Sequence, residues 1–275
     1  MKHFALFLAV TLAFALTRSV APARAGELDL TGDFSTFSSP DNANGPWRAV
    51  TGVYRWVAGP DTPSVTLETR ADADFLAPTH SNAVTIDDYH TWSPRFFTYG
   101  AVGVSAGSVL PTRTFYFEGD QKLGRSLTTV FGAGIGVVVD PVGVIQRYIN
   151  VGPTFYAPAF NVSLRYLQTF TSGRTGTGTG IMTIEAGYTG KTISTLTLLA
   201  GDQPPNGVVT TATTAGIGQR AVLAGIEFKH WTSPKGGILA GVGVGRLNDY
   251  VTGTGLYAQR DFTLGIFRDL GPPLP

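Results

Sequence analysis

From Gly26 onward, apolar and polar side chains alternate almost one for one, and no stretch is apolar for long enough to form a membrane-crossing helix. In Ser64–Phe75 the residues Val65, Leu67, Ala71, Ala73 and Phe75 stand against Thr66, Glu68, Arg70, Asp72 and Asp74. Phe115 and Phe117 stand against Tyr116, Glu118 and Asp120; Val162, Leu164 and Tyr166 against Ser163 and Arg165; Val222, Ala224, Ile226 and Phe228 against Glu227 and Lys229. A period of two describes a strand with one apolar and one polar face. No comparable helical period occurs.

The one long apolar run lies at the N-terminus. Phe4–Leu16 is interrupted only by Thr11, follows Lys2, and precedes Ala23-Arg24-Ala25. This is the pattern of a secretory signal peptide covering residues 1–25, shorter than the roughly 18 residues of a spanning helix. Its removal takes away Lys2, Arg18 and Arg24. That leaves 17 basic residues against 19 acidic ones over residues 26–275. With no basic excess, nucleic acid is not an expected partner.

Cysteine is absent, so an exported chain has no disulfide, no thiolate metal site and no lipid-modified cysteine. Charged residues make up 14%, against about 25% in soluble domains. An exported β-sandwich or propeller would also alternate, but would need a more charged surface and two buried sheet faces. A chain whose outer surface meets lipid needs neither. Without a spanning helix, a closed β-barrel is the remaining way to satisfy every backbone group in hydrocarbon.

Fourteen alternating segments can be placed, at 26–38, 46–58, 64–75, 81–92, 95–107, 112–123, 127–139, 144–157, 160–171, 180–190, 193–203, 220–231, 236–248 and 256–270. Their connections sort by length. "AGPDTP", "SPR", "LGRS", "APA", "TGK" and "TSPKG" are short. "SSPDNANG", "SAGSVLPT", "SGRTGTGTG", "DQPPNGVVTTATTAGIG" and "NDYVTGTG" alternate with them and are longer, while "LAPTHS" and "VDPVG" are shorter members of the same set. Outer-membrane barrels alternate short periplasmic turns with longer outside loops in this way, and use an even strand number. The expected fold is therefore all-β: a single antiparallel up-and-down transmembrane barrel of about 14 strands, with 12 as the fallback. A short Pro-rich tail follows it, and both termini are periplasmic. Trp47, Trp56, Tyr89, Trp92, Phe96, Tyr148, Tyr156 and Trp231 fall near strand ends, where interfacial aromatic girdles belong.

Two glycine runs could suggest a nucleotide-binding turn. A dinucleotide fingerprint is G-x-G-x-x-G leading into a helix. Gly132, Gly134 and Gly136 are spaced by two, as are Gly241, Gly243 and Gly245, and strand-like sequence follows each. Spacing by two puts each trio on one strand face. The expected face is the inner one, where missing side chains leave room for neighbours or a lumen. No cofactor is expected.

Several segments together resemble the YaiO-type outer-membrane β-barrel family: "GPWRAV", "DDYHTWSPRFFTYGAVGVSAGSVLPTRTFYFEGDQKLGRS", "YINVGPTFYAPAFNVSLRY" and "RDFTLGIFRDL", in that order. The resemblance implies an integral protein of the outer membrane of a Gram-negative bacterium, with membrane lipid and the barrel-insertion machinery as partners. It implies no defined activity. One departure is the terminus. Phe262, Leu264 and Ile266 alternate as expected, but the chain continues through "RDLGPPLP" rather than ending on an aromatic residue.

Glu68, Arg70, Asp72, Asp74, Glu118, Asp120, Arg165, Glu185, Glu227 and Lys229 fall on polar strand faces and are the lumen-lining candidates. Acids outnumber bases among them, which points to hydration and a cation preference. The leading expectation is a narrow channel or export pore for a small polar or saccharide solute. A second reading is a lipid-modifying hydrolase in the barrel wall, because His90 lies near Ser93 and His230 near Ser233, and a histidine can activate a serine. Both pairs also read as an aromatic belt followed by a Ser-Pro turn. A third reading is a non-transporting surface barrel whose 203–220 loop binds an outside partner. Asp41 to Asn44 lacks the acid spacing of a calcium loop, so no metal is expected.

Overall fold

The computed structural model describes residues 26–38, 46–73, 78–124, 128–141, 143–171, 176–202, 219–249 and 255–271. The expected leader, Asp41 to Asn44, Asp74, most of the 203–220 loop and the end of the Pro-rich tail lie outside them. The described residues form β1 (Gly26–Ser38), β2 (Trp47–Trp56), β3 (Asp61–Ala73), β4 (Pro78–Ser93) and β5 (Phe96–Gly107). These continue into β6 (Arg113–Leu123), β7 (Thr129–Val139), β8 (Ile145–Ala157), β9 (Phe160–Thr171) and β10 (Thr177–Gly187). The last four are β11 (Thr192–Asp202), β12 (Gln219–Ser233), β13 (Gly236–Asp249) and β14 (Gly255–Asp269).

Every strand pairs antiparallel with its chain neighbour, and β1 pairs with β14 from Glu27–Asp269 to Ser38–Ala258, closing the barrel. Closure leaves no unpaired sheet edge. The Leu270 amide donates to the Gly26 carbonyl at 2.6 Å, so the described ends of the chain meet at the short-turn end. Gly59 and Gly190, at φ 67° and 81°, take left-handed turn positions there. The two Ser-Pro turns are alike. Ser93 Oγ accepts from the Arg95 and Phe96 amides at 3.2 and 3.0 Å, and Ser233 Oγ accepts from the Lys235 amide at 3.4 Å. A register shift precedes each turn.

The outer face is apolar and exposed: Leu30, Val50, Leu67, Phe117, Ile135, Ile149, Leu164, Val244 and Leu264 lie on it. The inner face is polar and in places tightly packed. Both glycine trios are on it. On β7, buried residues at 130, 132, 134, 136 and 138 alternate with more exposed residues that include Phe131, Ala133 and Ile135.

Parity also corrects the aromatic girdle. Trp92 and Phe96 are exposed on the outer face, but Trp47, Tyr148 and Trp231 are buried, and Tyr89 and Tyr156 line lumen cavities. Distance from the strand end sets the depth of a side chain, whereas odd or even position sets its face.

The β7 glycines keep space for this interior. A methyl group at 136 would fall within the Tyr148 ring. Gly136→Val is expected to lower stability by about 1–3 kcal/mol, read by urea titration of the micelle-bound barrel. Gly52→Ala, which meets nothing within 4 Å, serves as the control and should be near neutral.

Candidate functional site

Three cross-strand rows on the β4–β9 side build the most chemically loaded part of the lumen. In the first, Tyr116 and Tyr148 flank Gly136. Their rings stack across it at 5.7 Å between centroids and 17° between planes. In the second, Glu118 and Asn150 flank Gly134. In the third, Asp120 pairs with Gly132 and Gly132 with Gly152. Arg165 reaches across both glycines from β9. Its guanidinium lies 2.8 Å from Glu118 and 3.6 Å from Asp120, and donates to the Gly152 carbonyl at 2.8 Å. A side chain at 132 would fall on the guanidinium, and one at 152 would meet the Leu164 backbone of the neighbouring strand.

Glu118 also accepts from the Tyr116 hydroxyl and, at 3.3 Å, from Asn150 Nδ2. Tyr99 lies 5.9 Å from Tyr116 and 6.4 Å from Tyr89, and Tyr89 lies 4.9 Å from Phe97. An aromatic lane thus runs round the wall from Phe97 to Tyr148.

The lane separates two cavities. One of about 400 Å³ is lined by Phe97, Val130, Glu118, Asp120, Asn150, Thr154, Tyr156 and Arg165. The other, about 760 Å³, faces β1–β5 and β12–β14 and is lined by Asp29, Asp33, Arg55, Glu68, Arg70, Asp87 and Glu227 among many threonines. Tyr89, Tyr99, Ala101, Tyr116 and Tyr148 line both.

Some charges in or beside the larger cavity are ion-paired. Arg70 meets Glu68 at 2.8 Å and stacks on Trp47 at 4.5 Å. Lys229 meets Glu27 at 2.5 Å and Asp29 at 3.9 Å. Others are held by neutral donors. Thr263 donates to Asp33 and Ser64 to Asp87, each at 2.6 Å, and Ser35 and Gln259 donate to Asp261, the latter at 2.8 Å. Gly241 and Gly243 lie beside Glu227 and Asp261 and leave space for them.

At the long-connection end, the segment between β5 and β6 folds inward. The Val109 and Leu110 amides donate to Ser81 Oγ at 2.8 and 3.1 Å, and Ser105 Oγ donates to the Leu110 and Pro111 carbonyls at 3.2 and 2.8 Å. Leu110 is thereby buried against the larger cavity, in the same lining as Trp47 and Val138.

The structure places the sequence candidates as follows. Glu68, Arg70, Glu118, Asp120, Arg165 and Glu227 line the two cavities. Of these, Glu118, Asp120 and Arg165 form one cluster. Lys229 belongs to a separate group at the short-turn end, over the Phe267 ring at 4.3 Å. Glu185 is exposed at that end and accepts from Asn161 at 3.1 Å. The Asp72 backbone pairs with Trp47. Asp33, Asp87, Tyr99, Tyr116, Asn150 and Asp261 escaped the sequence reading, although Tyr116 shares the parity of Glu118 and Asp120.

His90 lies on the face opposite Tyr89, against Asp61 and 4.2 Å from the Trp92 ring. His230 Nδ1 is 2.8 Å from Thr192 Oγ1. Each nearby serine is engaged in its turn, Ser233 also donating to the Gly236 carbonyl at 3.1 Å. Asp61, Asp88 and His90 offer ligand atoms within 4.8 Å of one another, and these donor types could hold a divalent cation.

The solved structure of the CymD monoaromatic hydrocarbon channel is similar, with a TM-score of 0.63 at 9% identity over 91% of this chain and 90% of that chain. The TodX deltaS2S3 mutant monoaromatic hydrocarbon channel gives 0.59 at 8% identity over 92% of each chain. At such identities the likeness concerns the fold. No curated protein matches the sequence. The family model described as the YaiO membrane beta barrel domain matches residues 26–205. This fourteen-stranded outer-membrane barrel therefore belongs to the YaiO family.

Proposed function

We propose that this barrel is a narrow channel for a small polar or saccharide solute, with the termini and short turns on the periplasmic side. The observation that carries the reading is the pair of adjoining lumen cavities, about 760 and 400 Å³, sharing the tyrosine lane as a common wall. Fourteen strands enclose more space than the roughly eight whose interior side chains can fill. The two similar structures are named as hydrocarbon channels. Here the lining carries many carboxylates, and a polar solute suits it better than a hydrocarbon. On β14 the outward Phe262, Leu264 and Ile266 are exposed, and this apolar face is the part of the strand that the insertion machinery would meet.

Among the described residues, the carboxylates of Asp33, Asp87 and Asp261 are held by hydroxyls and, at Asp261, an amide, with no direct ion pair. The barrel purified from outer membranes should therefore show small, discrete, cation-selective steps in a planar bilayer, and Asp33→Asn with Asp261→Asn should weaken that selectivity. A silent bilayer, with folding confirmed by heat-modifiable gel mobility, would overturn the channel reading.

A further inference from the structure

We infer that the smaller lumen cavity is a binding site for an aminated saccharide, a hexose-sized ring bearing a protonated primary amine. The inference rests on the channel reading for the polar class of solute and deepens it. Its first support is charge. Glu118 and Asp120 are 7% and 4% exposed and lie two residues apart on the same face of β6. They share one guanidinium, that of Arg165. Buried charges need partners; one guanidinium balances one of the two carboxylates, and the other either shares a proton with its neighbour or meets a second cation.

The distribution of contacts shows which carboxylate that is. Glu118 takes the closer guanidinium contact at 2.8 Å, together with the Tyr116 hydroxyl and Asn150 Nδ2. Asp120 has the longer contact at 3.6 Å. Lys122, the next inward residue on β6, sits 5.8 Å from the Phe97 ring centroid. Glu185, exposed at the same end of the barrel, adds negative charge. A cation brought by the solute beside Asp120 completes the balance.

The second support is shape. Phe97, Tyr89, Tyr99, Tyr116, Tyr148 and Tyr156 all line this cavity. Aromatic faces carry negative electrostatic potential and attract ammonium groups, and their flat surfaces suit the C–H face of a pyranose ring. A bare metal ion would use the carboxylates and leave the rings without a role. A neutral sugar would use the rings and leave Asp120 without a counter-charge. An amino sugar uses both.

The test is isothermal titration of the micelle-bound, full-length barrel with glucosamine, N-acetylglucosamine and calcium chloride. Glucosamine should bind at least tenfold more tightly than N-acetylglucosamine, which has a similar ring but lacks the charge. Asp120→Asn should remove most of that preference. Tyr156→Ala, at the exposed mouth of the cavity, should weaken glucosamine binding several-fold while the barrel stays heat-modifiable. Equal binding of the two sugars, no binding of either, or calcium binding tighter than glucosamine would each overturn the inference. Conductance without binding would leave the channel reading standing and remove only this one.

Discussion

Arg165→Met is expected to destabilise the barrel by about 3–5 kcal/mol, the range for removing one partner of a buried ion pair. The substitution keeps much of the side-chain volume and deletes the guanidinium that lies 2.8 Å from Glu118 and 3.6 Å from Asp120. Most of the loss comes from the two carboxylates left unpaired in a buried setting. The triple variant Arg165→Met, Glu118→Gln, Asp120→Asn should therefore recover much of the stability, since it removes the stranded charges as well. Urea titration of the folded barrels measures both. Arg165→Lys should rescue only partly. A lysine offers a point charge, whereas Arg165 bonds Gly152 and faces two carboxylates at once. Equal stability of Arg165→Met and the parent would mean that water already solvates the cluster, and would remove the structural role given to Arg165.

Releasing the inward segment between β5 and β6 should raise single-channel conductance several-fold. Ser81 Oγ is the anchor, accepting both the Val109 and Leu110 amides, and Leu110 is the side chain it holds in the lumen. The variant Ser81→Ala, Leu110→Gly removes anchor and obstruction together while leaving the β5–β6 pairing from Phe96–Gln121 to Val104–Arg113 intact. Larger steps in a planar bilayer, with unchanged heat-modifiable mobility, would identify this segment as the constriction. Unchanged steps would move the constriction to the layer where Trp47 packs against Arg70.

Much of this architecture is legible in the amino-acid sequence alone. β1 spans the expected 26–38 and β9 the expected 160–171, and most other ends fall within about two residues of their placement. The exceptions lie at connections. The β10 strand runs from Thr177, three residues earlier than its apolar pattern suggests, because Thr177 and Gly178 pair with Thr169 and Gln168. Backbone pairing extends a strand through small polar residues that carry no period of their own. The inward direction of the glycine faces was equally readable, since alternation is local and a lumen needs one face that is not apolar.

The site was legible only in part. Glu118, Asp120 and Arg165 could each be assigned to the lumen from parity, yet nothing in their spacing joins residue 165 to residue 118. Three strand intervals at about 4.8 Å each separate them, and the contact exists because Gly132 and Gly152 fall in the row between. That coincidence depends on register, which is a property of paired strands and not of either strand alone. The aromatic residues make the same point. Proximity to a strand end suggested a girdle for Trp47 and Tyr148, while their parity with Thr51 and Asn150 sends them inside.

By itself, then, the sequence determined an even strand number of about fourteen, the apolar outer face and the character of the lumen, because alternation, connection length and charge are all local. Which residues meet across that lumen, and that the segment around Leu110 folds into it rather than away, were decided only by closure of the barrel. Closure fixes the register of every pair and brings together side chains from distant strands.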